Sequence, residues 1–190
     1  MNTLTRLGRH AVASITTLVK LAALACALSL AGCGSPLVSD YALERPQLDL
    51  RDYFNGPVTA HGMYTDRNGR IVKRFIVKMA CSWQGDDGTL DEAFTYSDGS
   101  TQRRVWHLKR LADGRYEGRA DDVVGAAHGE AGGNTFNWRY TLALPVDGRT
   151  WDVQFDDWMV LIDERTLLNK AEMSKFGVRL GEVTLSFTKG

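Results

Sequence analysis

The sequence predicts an all-β fold, an antiparallel up-and-down meander of about nine or ten strands that closes into a lipocalin-like barrel. Three observations lead to this prediction. Apolar and polar residues alternate in runs along most of the chain after residue 56, as in strands with one buried face. Turn dipeptides separate these runs at short intervals. No segment beyond the N-terminal region shows the 3.6-residue period of a long amphipathic helix.

Residues 1–32 have the three parts of a secretory signal peptide. Arg6 and Arg9 form a basic stretch, residues 21–30 are mainly apolar, and small residues precede Cys33. The three residues directly before this cysteine are Leu30, Ala31 and Gly32. They resemble the bacterial lipobox, which implies cleavage before Cys33 and a diacylglyceryl thioether on its sulfur. Two or more acyl chains anchor a protein stably to a membrane, whereas a plain secreted protein is the alternative.

Cleavage would leave one domain behind a short tether. Residues 33–47 would be the lipidated cysteine and the tether, and residues 48–190 the β-barrel domain. The shortened chain has 20 basic and 23 acidic residues, a formal charge of −3, which disfavours nucleic acid as a partner. Gly34 stands where an aspartate would resemble an inner-membrane retention signal. We therefore expect anchoring in the inner leaflet of the outer membrane, facing the periplasm.

Ten strands are predicted in chain order. They lie near residues 57–64, 70–81, 89–96, 102–110, 115–119, 121–128, 135–144, 150–161, 166–174 and 178–188. Many of the predicted turns contain Asn-Gly or Asp-Gly, as at Asn68-Gly69 and Asp98-Gly99, which favour tight hairpins. Closing such a meander into a barrel removes its exposed edges, while an open curved sheet or a sandwich is the alternative.

Several motifs, in order and spacing, resemble an uncharacterised bacterial lipoprotein family, domain of unknown function 3833 (DUF3833). The motifs are Asp52–Gly56, Glu92–Gly99, Asp156–Met159 and Met173–Gly177. The similarity runs from about Tyr41 to the C-terminus. It implies a small envelope lipoprotein and supplies no catalytic residues.

Charged residues occur on strand faces that should be apolar. In the hairpin at Asp98-Gly99, a three-residue loop would pair Phe94 with Arg104 and Glu92 with Trp106. This register keeps the large apolar residues on one face, where Glu92 and Arg104 become diagonal neighbours. A lone buried charge costs several kcal/mol, so we expect these charges to be paired inside the barrel.

Asp157, Asn169 and Lys175 also continue apolar faces and extend this hypothesis. The predicted interior polar network consists of Glu92, Arg104, Asp157, Asn169 and Lys175. One alternative is that it only fixes register or plugs the barrel, and another is that some members lie at strand ends in water. A third is that it orients the polar head of an amphipathic ligand. The tail of that ligand would contact an apolar pocket of Phe94, Trp106, Trp138, Tyr140 and Phe155.

No catalytic or metal constellation is apparent. Asp156 and Asp157 are adjacent on a strand and so point to opposite faces, which argues against paired acid–base chemistry. Cys81 lies in an apolar strand, and the histidines have no metal-ligand spacing. Gly125, Gly129, Gly132 and Gly133 suggest a bulge or bend rather than a phosphate loop.

We therefore predict a non-enzymatic envelope lipoprotein without cofactors or metal that binds a fatty acid or another apolar molecule. An interaction scaffold with a plugged barrel is the alternative, and a lipid-modifying enzyme is a remote one.

Overall fold

The structure, a computed structural model, describes residues 35–190 apart from Asp147. The signal peptide and the lipobox lie outside the described residues, so lipidation of Cys33 stays a prediction. Within the described part, no helix is both long enough and apolar enough to cross a membrane.

Ten antiparallel strands form a closed barrel in which each strand pairs with the next and β10 pairs with β1. The strands are β1 Gly56–Asp66, β2 Ile71–Gln84, β3 Asp87–Tyr96, β4 Thr101–Arg110, β5 Tyr116–Arg119, β6 Ala127–Gly132, β7 Thr135–Val146, β8 Arg149–Leu161, β9 Thr166–Lys175 and β10 Val178–Lys189. The predicted up-and-down barrel is therefore confirmed over the open sheet and the sandwich.

The sixth strand lies about five residues later than predicted. The structure begins it at Ala127, whereas residues 120–126 form an irregular segment after the short strand β5. Gly125 has a φ of 73°, a left-handed conformation that interrupts an extended run. The segment still contacts β7, because the Val124 amide donates to the Thr141 carbonyl over 2.9 Å.

The register predicted for the β3–β4 hairpin is wrong by two residues. Glu92 lies opposite Arg104 rather than Trp106, and Phe94 lies opposite Gln102. The loop has the expected length of three residues but lies one residue earlier in the chain, at Ser97, Asp98 and Gly99, because the Tyr96 amide donates to the Ser100 carbonyl at 2.9 Å. A shift of two residues leaves every side chain on its face, so the alternation of apolar residues is satisfied by either register.

One end of the barrel is closed by residues 48–54, which we call the plug. It contains a single helical turn, α1 (Leu50–Tyr53), and its residues Leu48, Leu50, Tyr53 and Phe54 are buried. The Tyr53 hydroxyl donates to the Arg165 carbonyl at 2.8 Å, beside the β8–β9 turn. Trp83 Nε1 at the end of β2 donates to the Phe54 carbonyl at 2.9 Å. These bonds hold the plug across one end of the barrel.

Part of the expected tether is also folded. Residues Val38–Tyr41 form a 3₁₀ helix that packs on β6 and β7. A Cβ atom at Gly132 would overlap the Val38 carbonyl, and one at Gly133 the Tyr41 carbonyl. These two glycines therefore let the N-terminal chain approach closely, and Gly133, with a φ of 57° in the β6–β7 turn, also forms a tight bend of the kind expected. The compact unit begins at Leu37, before the boundary expected near residue 48.

Candidate ligand-binding site

The barrel encloses a cavity of about 970 Å³. The plug residues Leu50 and Phe54 line one end of it, and Lys73, Gln102 and Val146 line the other. We call this second end the mouth; among the described residues of the hairpin loops there, none belongs to a helix. A volume of this size lies at the upper end of the range for small-molecule sites.

All five residues of the predicted apolar pocket line this cavity: Phe94, Trp106, Trp138, Tyr140 and Phe155. Cross-strand pairing of β7 with β8 places Tyr140 directly opposite Phe155. Their rings stack with centroids 4.9 Å apart. Trp106 on β4 meets Tyr140 edge-on at 5.4 Å. The aromatic wall is therefore formed by β4 together with β7 and β8, and the short strands β5 and β6 lie between them in the barrel.

The arginine of the predicted network is present in the interior but has a partner that the sequence did not indicate. Arg104 Nε and Nη2 donate to the Asp122 carboxylate over 2.7–3.0 Å. Its Nη1 lies 4.0 Å from Glu92 Oε2, and its guanidinium lies 5.6 Å from the centre of the Phe94 ring. Asp122 therefore binds the Nε and Nη2 edge of the Arg104 guanidinium, and Nη1 is directed toward Glu92.

Asp157 is a buried acid whose side chain is held by neutral groups. Asn169 Nδ2 donates to its Oδ1, and the Tyr140 hydroxyl lies 3.5 Å from its Oδ2. Asp157 is 5% exposed and Asn169 is 2% exposed. β8 and β9 carry both residues on their inner faces, because Met159 lies opposite Asn169 and Asp157 opposite Ala171.

Lys175 does not join this cluster. Its Nζ donates to the Asp152 carbonyl at 3.1 Å and lies 4.9 Å from the ring centres of Trp151 and Phe176. It lies at the end of β9 beside the turn to β10, where the chain leaves the barrel wall. The interior cluster thus consists of Glu92, Arg104, Asp122, Asp157 and Asn169.

Burial dominates the protonation chemistry of the two deepest acids. Burial raises the pKa of Glu92 to about 7, although the charge of Arg104 opposes the shift. Burial likewise raises the pKa of Asp157 to about 7, against the hydrogen bonds from Asn169 and Tyr140. Burial also raises the pKa of Tyr140 well above its ordinary range. Burial would lower the pKa of Arg104, but hydrogen bonding to Asp122 raises it overall.

Asp122 is absent from the predicted network because the sequence predicts a regular strand over residues 121–128. In such a strand, Asp122 would have had no reason to meet β4. The irregular segment instead turns its side chain inward, while the Ala143 amide donates to its carbonyl at 2.9 Å. The sequence does contain one indication of this partner. An arginine on an apolar face requires an acidic partner, and the acidic pair Asp121-Asp122 follows 17 residues later in the chain.

The cavity wall beside Arg104 has a seam. β4 pairs with β5 only from His107 to Arg110. In the described chain, no backbone hydrogen bond joins residues 101–106 of β4 to the segment 120–126. Side chains cross the gap instead, through the Arg104–Asp122 ion pair. We call this gap the β4 seam.

Other chemistries have little support in the described residues. No group of three metal-ligating side chains occurs within residues 35–190, Asp147 aside. Asp156 points outward and accepts a hydrogen bond from Asn137 Nδ2 at 2.6 Å, so it is separated from Asp157. Cys81 is buried, and burial raises the pKa of its thiol to about 12, which keeps it protonated.

Large apolar side chains are exposed around the mouth. They lie in the β1–β2, β5–β6, β7–β8 and β9–β10 connections or in the strand ends beside them: Ile71, Val72, Val124, Val146, Trp151, Phe176 and Val178. Phe176, at the tip of the β9–β10 turn, is 90% exposed. Apolar groups concentrated in this way commonly mark an interaction or entry site.

A closed antiparallel barrel around an amphipathic cavity defines the class of the protein as a lipocalin-like β-barrel. Within this class, the family described as "Protein of unknown function (DUF3833)" matches residues 27–189. The chain therefore belongs to this family. A comparison with curated proteins gave no match.

Several solved structures are similar to this one. The S-type phycobiliprotein lyase from Guillardia theta has a TM-score of 0.59 and 5% identity, covering 82% of this chain and 98% of the lyase. A protein of unknown function from the DUF3598 family of Nostoc punctiforme has a TM-score of 0.49 and 10% identity, covering 83% and 53%. A de novo designed fluorescence-activating β-barrel has a TM-score of 0.39 and 11% identity, covering 75% and 99%. The likeness to the lyase shows a shared barrel fold.

Proposed function

We propose that this protein is an envelope lipoprotein that binds an elongated amphipathic or apolar molecule inside its barrel. The cavity carries this proposal, because it combines a volume of about 970 Å³ with aromatic walls and a confined polar cluster. An apolar ligand would replace unfilled space with contacts to the aromatic walls, and the cluster would orient its polar end. The exposed apolar residues of the mouth support exchange of such a ligand at that end.

The cavity also favours ligand binding over the scaffold alternative. A scaffold with a plugged barrel would fill its interior with side chains, whereas here the plug covers one end and leaves the middle open. The proposal is non-enzymatic. Because a structurally similar barrel is a phycobiliprotein lyase, the tests below also ask whether the protein converts its ligand.

Native mass spectrometry can test ligand binding directly. Residues 35–190, which contain the whole compact unit that begins at Leu37, would be exported to a bacterial periplasm and purified without detergent. We expect a bound mass that organic solvent extracts, and reversible binding of the neutral probe N-phenyl-1-naphthylamine by the emptied protein. An unliganded, folded protein that does not bind the probe would refute ligand binding and support the scaffold. Chemical change of the extracted molecule on return to the protein would contradict the non-enzymatic proposal.

The anchor requires a separate test on the full chain. We propose that Cys33 carries the lipid and that the protein resides in the outer membrane. The Cys33→Ala variant is expected to lose incorporation of radiolabelled fatty acid, while the Cys81→Ala variant keeps it. Wild-type protein recovered in the inner-membrane fraction would contradict the location, and labelled Cys33→Ala would contradict the attachment site.

A further inference from the structure

The acids and the amide oxygen of the interior cluster leave several hydrogen-bond acceptors without a close donor, and Arg104 Nη1, 4.0 Å from Glu92, is the one donor group without a close acceptor in the described part of the cluster. Asn169 lines the cavity, and its Oδ1 is buried without a hydrogen-bond partner in the described residues. Glu92 also lines the cavity, and its nearest cationic atom is Arg104 Nη1 at 4.0 Å. Asp157 is contacted by an amide and a phenol rather than by a cation. A molecule that completes this cluster must therefore donate hydrogen bonds.

The cations of the cavity are already engaged. Arg104 binds the Asp122 carboxylate through Nε–H, which is shared between both oxygens, and through Nη2–H. Lys73, at the mouth, lies 3.1 Å from Asp98 and 4.7 Å from the centre of the Tyr96 ring. A carboxylate or phosphate that leaves the Arg104–Asp122 pair intact could reach only Arg104 Nη1, where it would lie close to the Glu92 carboxyl. The charge of the interior therefore disfavours an anionic head group.

Aromatic rings surround the same acceptors. Tyr140, whose hydroxyl faces Asp157, stacks on Phe155 and lies beside Trp106. Aromatic faces attract cations within about 6 Å of the ring centre, and more strongly away from water. Acids and π-faces together form an environment for a positive charge attached to an apolar chain.

We propose, building on the ligand-binding function above, that the site between Glu92 and Asp157 takes the protonated amine of a long-chain amphiphile. The ammonium hydrogens supply the donors that Glu92, Asp157 and Asn169 Oδ1 accept, and the chain lies along the aromatic wall toward the mouth. The positive charge also compensates the acids that Arg104 leaves uncompensated.

The pH dependence follows from the groups that face the site. These are Glu92 on β3, Arg104 on β4, Asp122 on the irregular segment, Tyr140 on β7 and Asp157 on β8. Burial places the pKa of Glu92 and that of Asp157 at about 7, so both ionise as the pH rises through neutrality. Binding of an ammonium ion should therefore strengthen between pH 6 and pH 8, whereas binding of a carboxylate would weaken.

Four ligands with the same twelve-carbon chain can separate these possibilities. Dodecylamine, dodecanoate, dodecanol and dodecyltrimethylammonium, each below its micellar concentration, compete with N-phenyl-1-naphthylamine for residues 35–190 at pH 6 and pH 8. At pH 8 we expect dodecylamine to bind at least tenfold more tightly than dodecanoate. The trimethyl compound should bind more weakly than the amine, because it cannot donate hydrogen bonds. Equal binding of these two cations would overturn the hydrogen-bonded arrangement.

Variants that replace the carboxylates by amides of the same shape test whether Glu92 and Asp157 cause the preference for the amine. The Glu92→Gln/Asp157→Asn double variant should lose the preference for the amine and its pH dependence, while dodecanol affinity is retained. The Asp91→Asn/Asp156→Asn control neutralises the neighbouring outward-facing acids and should keep the preference. An unchanged preference in the first variant would overturn the proposed site.

The outcomes also distinguish the two proposals. Failure of all four ligands and of the probe to bind the folded protein would refute ligand binding altogether, and with it the amine site. Binding of dodecanol with no preference for the amine, or tighter binding of dodecanoate, would leave ligand binding intact and refute the amine site alone.

Discussion

At the scale of single residues, Asp157 and Glu92 stand out because folding places both carboxyls in an environment that favours their neutral forms. Asp157 has only neutral hydrogen-bonding partners, and Glu92 shares Arg104 with Asp122. Buried charges that lack full compensation reduce stability. The interior cluster therefore lowers the stability of the protein at a pH where both acids are ionised, as expected of groups retained for binding.

This arrangement predicts that stability falls as the pH rises from about 5 to 8. The folded-state pKa values of about 7 lie above the ordinary values of 3.8 for Asp and 4.5 for Glu. Between these limits the folded protein retains protons that the unfolded chain releases, so deprotonation favours unfolding. We expect a loss on the order of 5 kcal/mol in the free energy of unfolding for the two acids together, measured by urea denaturation.

The Glu92→Gln/Asp157→Asn variant should show little of this loss over the same range. The Asp91→Asn/Asp156→Asn variant should follow the wild type. Acids whose pKa is lowered by hydrogen bonds, such as Asp163 and Asp66, act in the opposite direction but below about pH 4. A wild-type protein that is equally stable at pH 5 and pH 8 would contradict the burial of both acids.

At the scale of elements, the strands were predictable and the details of their connection were not. The alternation of Phe136, Trp138 and Tyr140 with polar residues predicted the position of β7, because an apolar residue at every second position indicates a strand with one buried face. The β3–β4 register depends on which three residues after Tyr96 form the loop, and a shift by two residues leaves the faces unchanged. Only the hydrogen bonding of the loop distinguishes the two registers.

The residues of the candidate site were likewise predictable where they lie in regular strands and unpredictable where they lie outside them. Glu92, Arg104, Asp157 and Asn169 were predicted because a polar residue on an apolar face is visible in the sequence. Asp122 was not, because it lies outside regular structure, where no period indicates its direction. The plug was also missed, since four helical residues are too few to show a helical period.

The short strands β5 and β6 depend on two glycines that make room for aromatic rings. A Cβ atom at Gly118 would lie 2.6 Å from Trp138 Cζ2, and one at Gly129 would overlap Phe136 and Trp138. Gly118→Ala and Gly129→Ala should each lower the free energy of unfolding by about 1–3 kcal/mol through overpacking, as measured by urea denaturation. Glu130→Ala, at an exposed neighbouring position, should change it by less than about 0.5 kcal/mol. Equal effects of all three substitutions would contradict the tight packing.

At the scale of the whole molecule, the barrel has an unfilled interior, the plug closes one end, and the mouth is the opening at the other end. Val183 on β10 lines the cavity, whereas Thr184 belongs to a groove on the outer surface. Val183→Trp should therefore occupy cavity space and weaken binding of a twelve-carbon ligand at least tenfold. Thr184→Trp should leave the affinity unchanged. Both are measured by probe displacement, and retained binding in Val183→Trp would place the ligand outside the barrel.

The β4 seam makes the barrel wall less stable locally than the fully hydrogen-bonded strands around it. Because a side-chain ion pair rather than a ladder of backbone bonds spans this gap, local opening there should require less energy than elsewhere. Hydrogen–deuterium exchange should be faster for residues 101–106 than for β8, and Asp122→Asn should accelerate it further at the seam. Uniformly slow exchange around the barrel would contradict this. A wall that opens sideways would let a long chain enter laterally, without passing lengthwise through the loops.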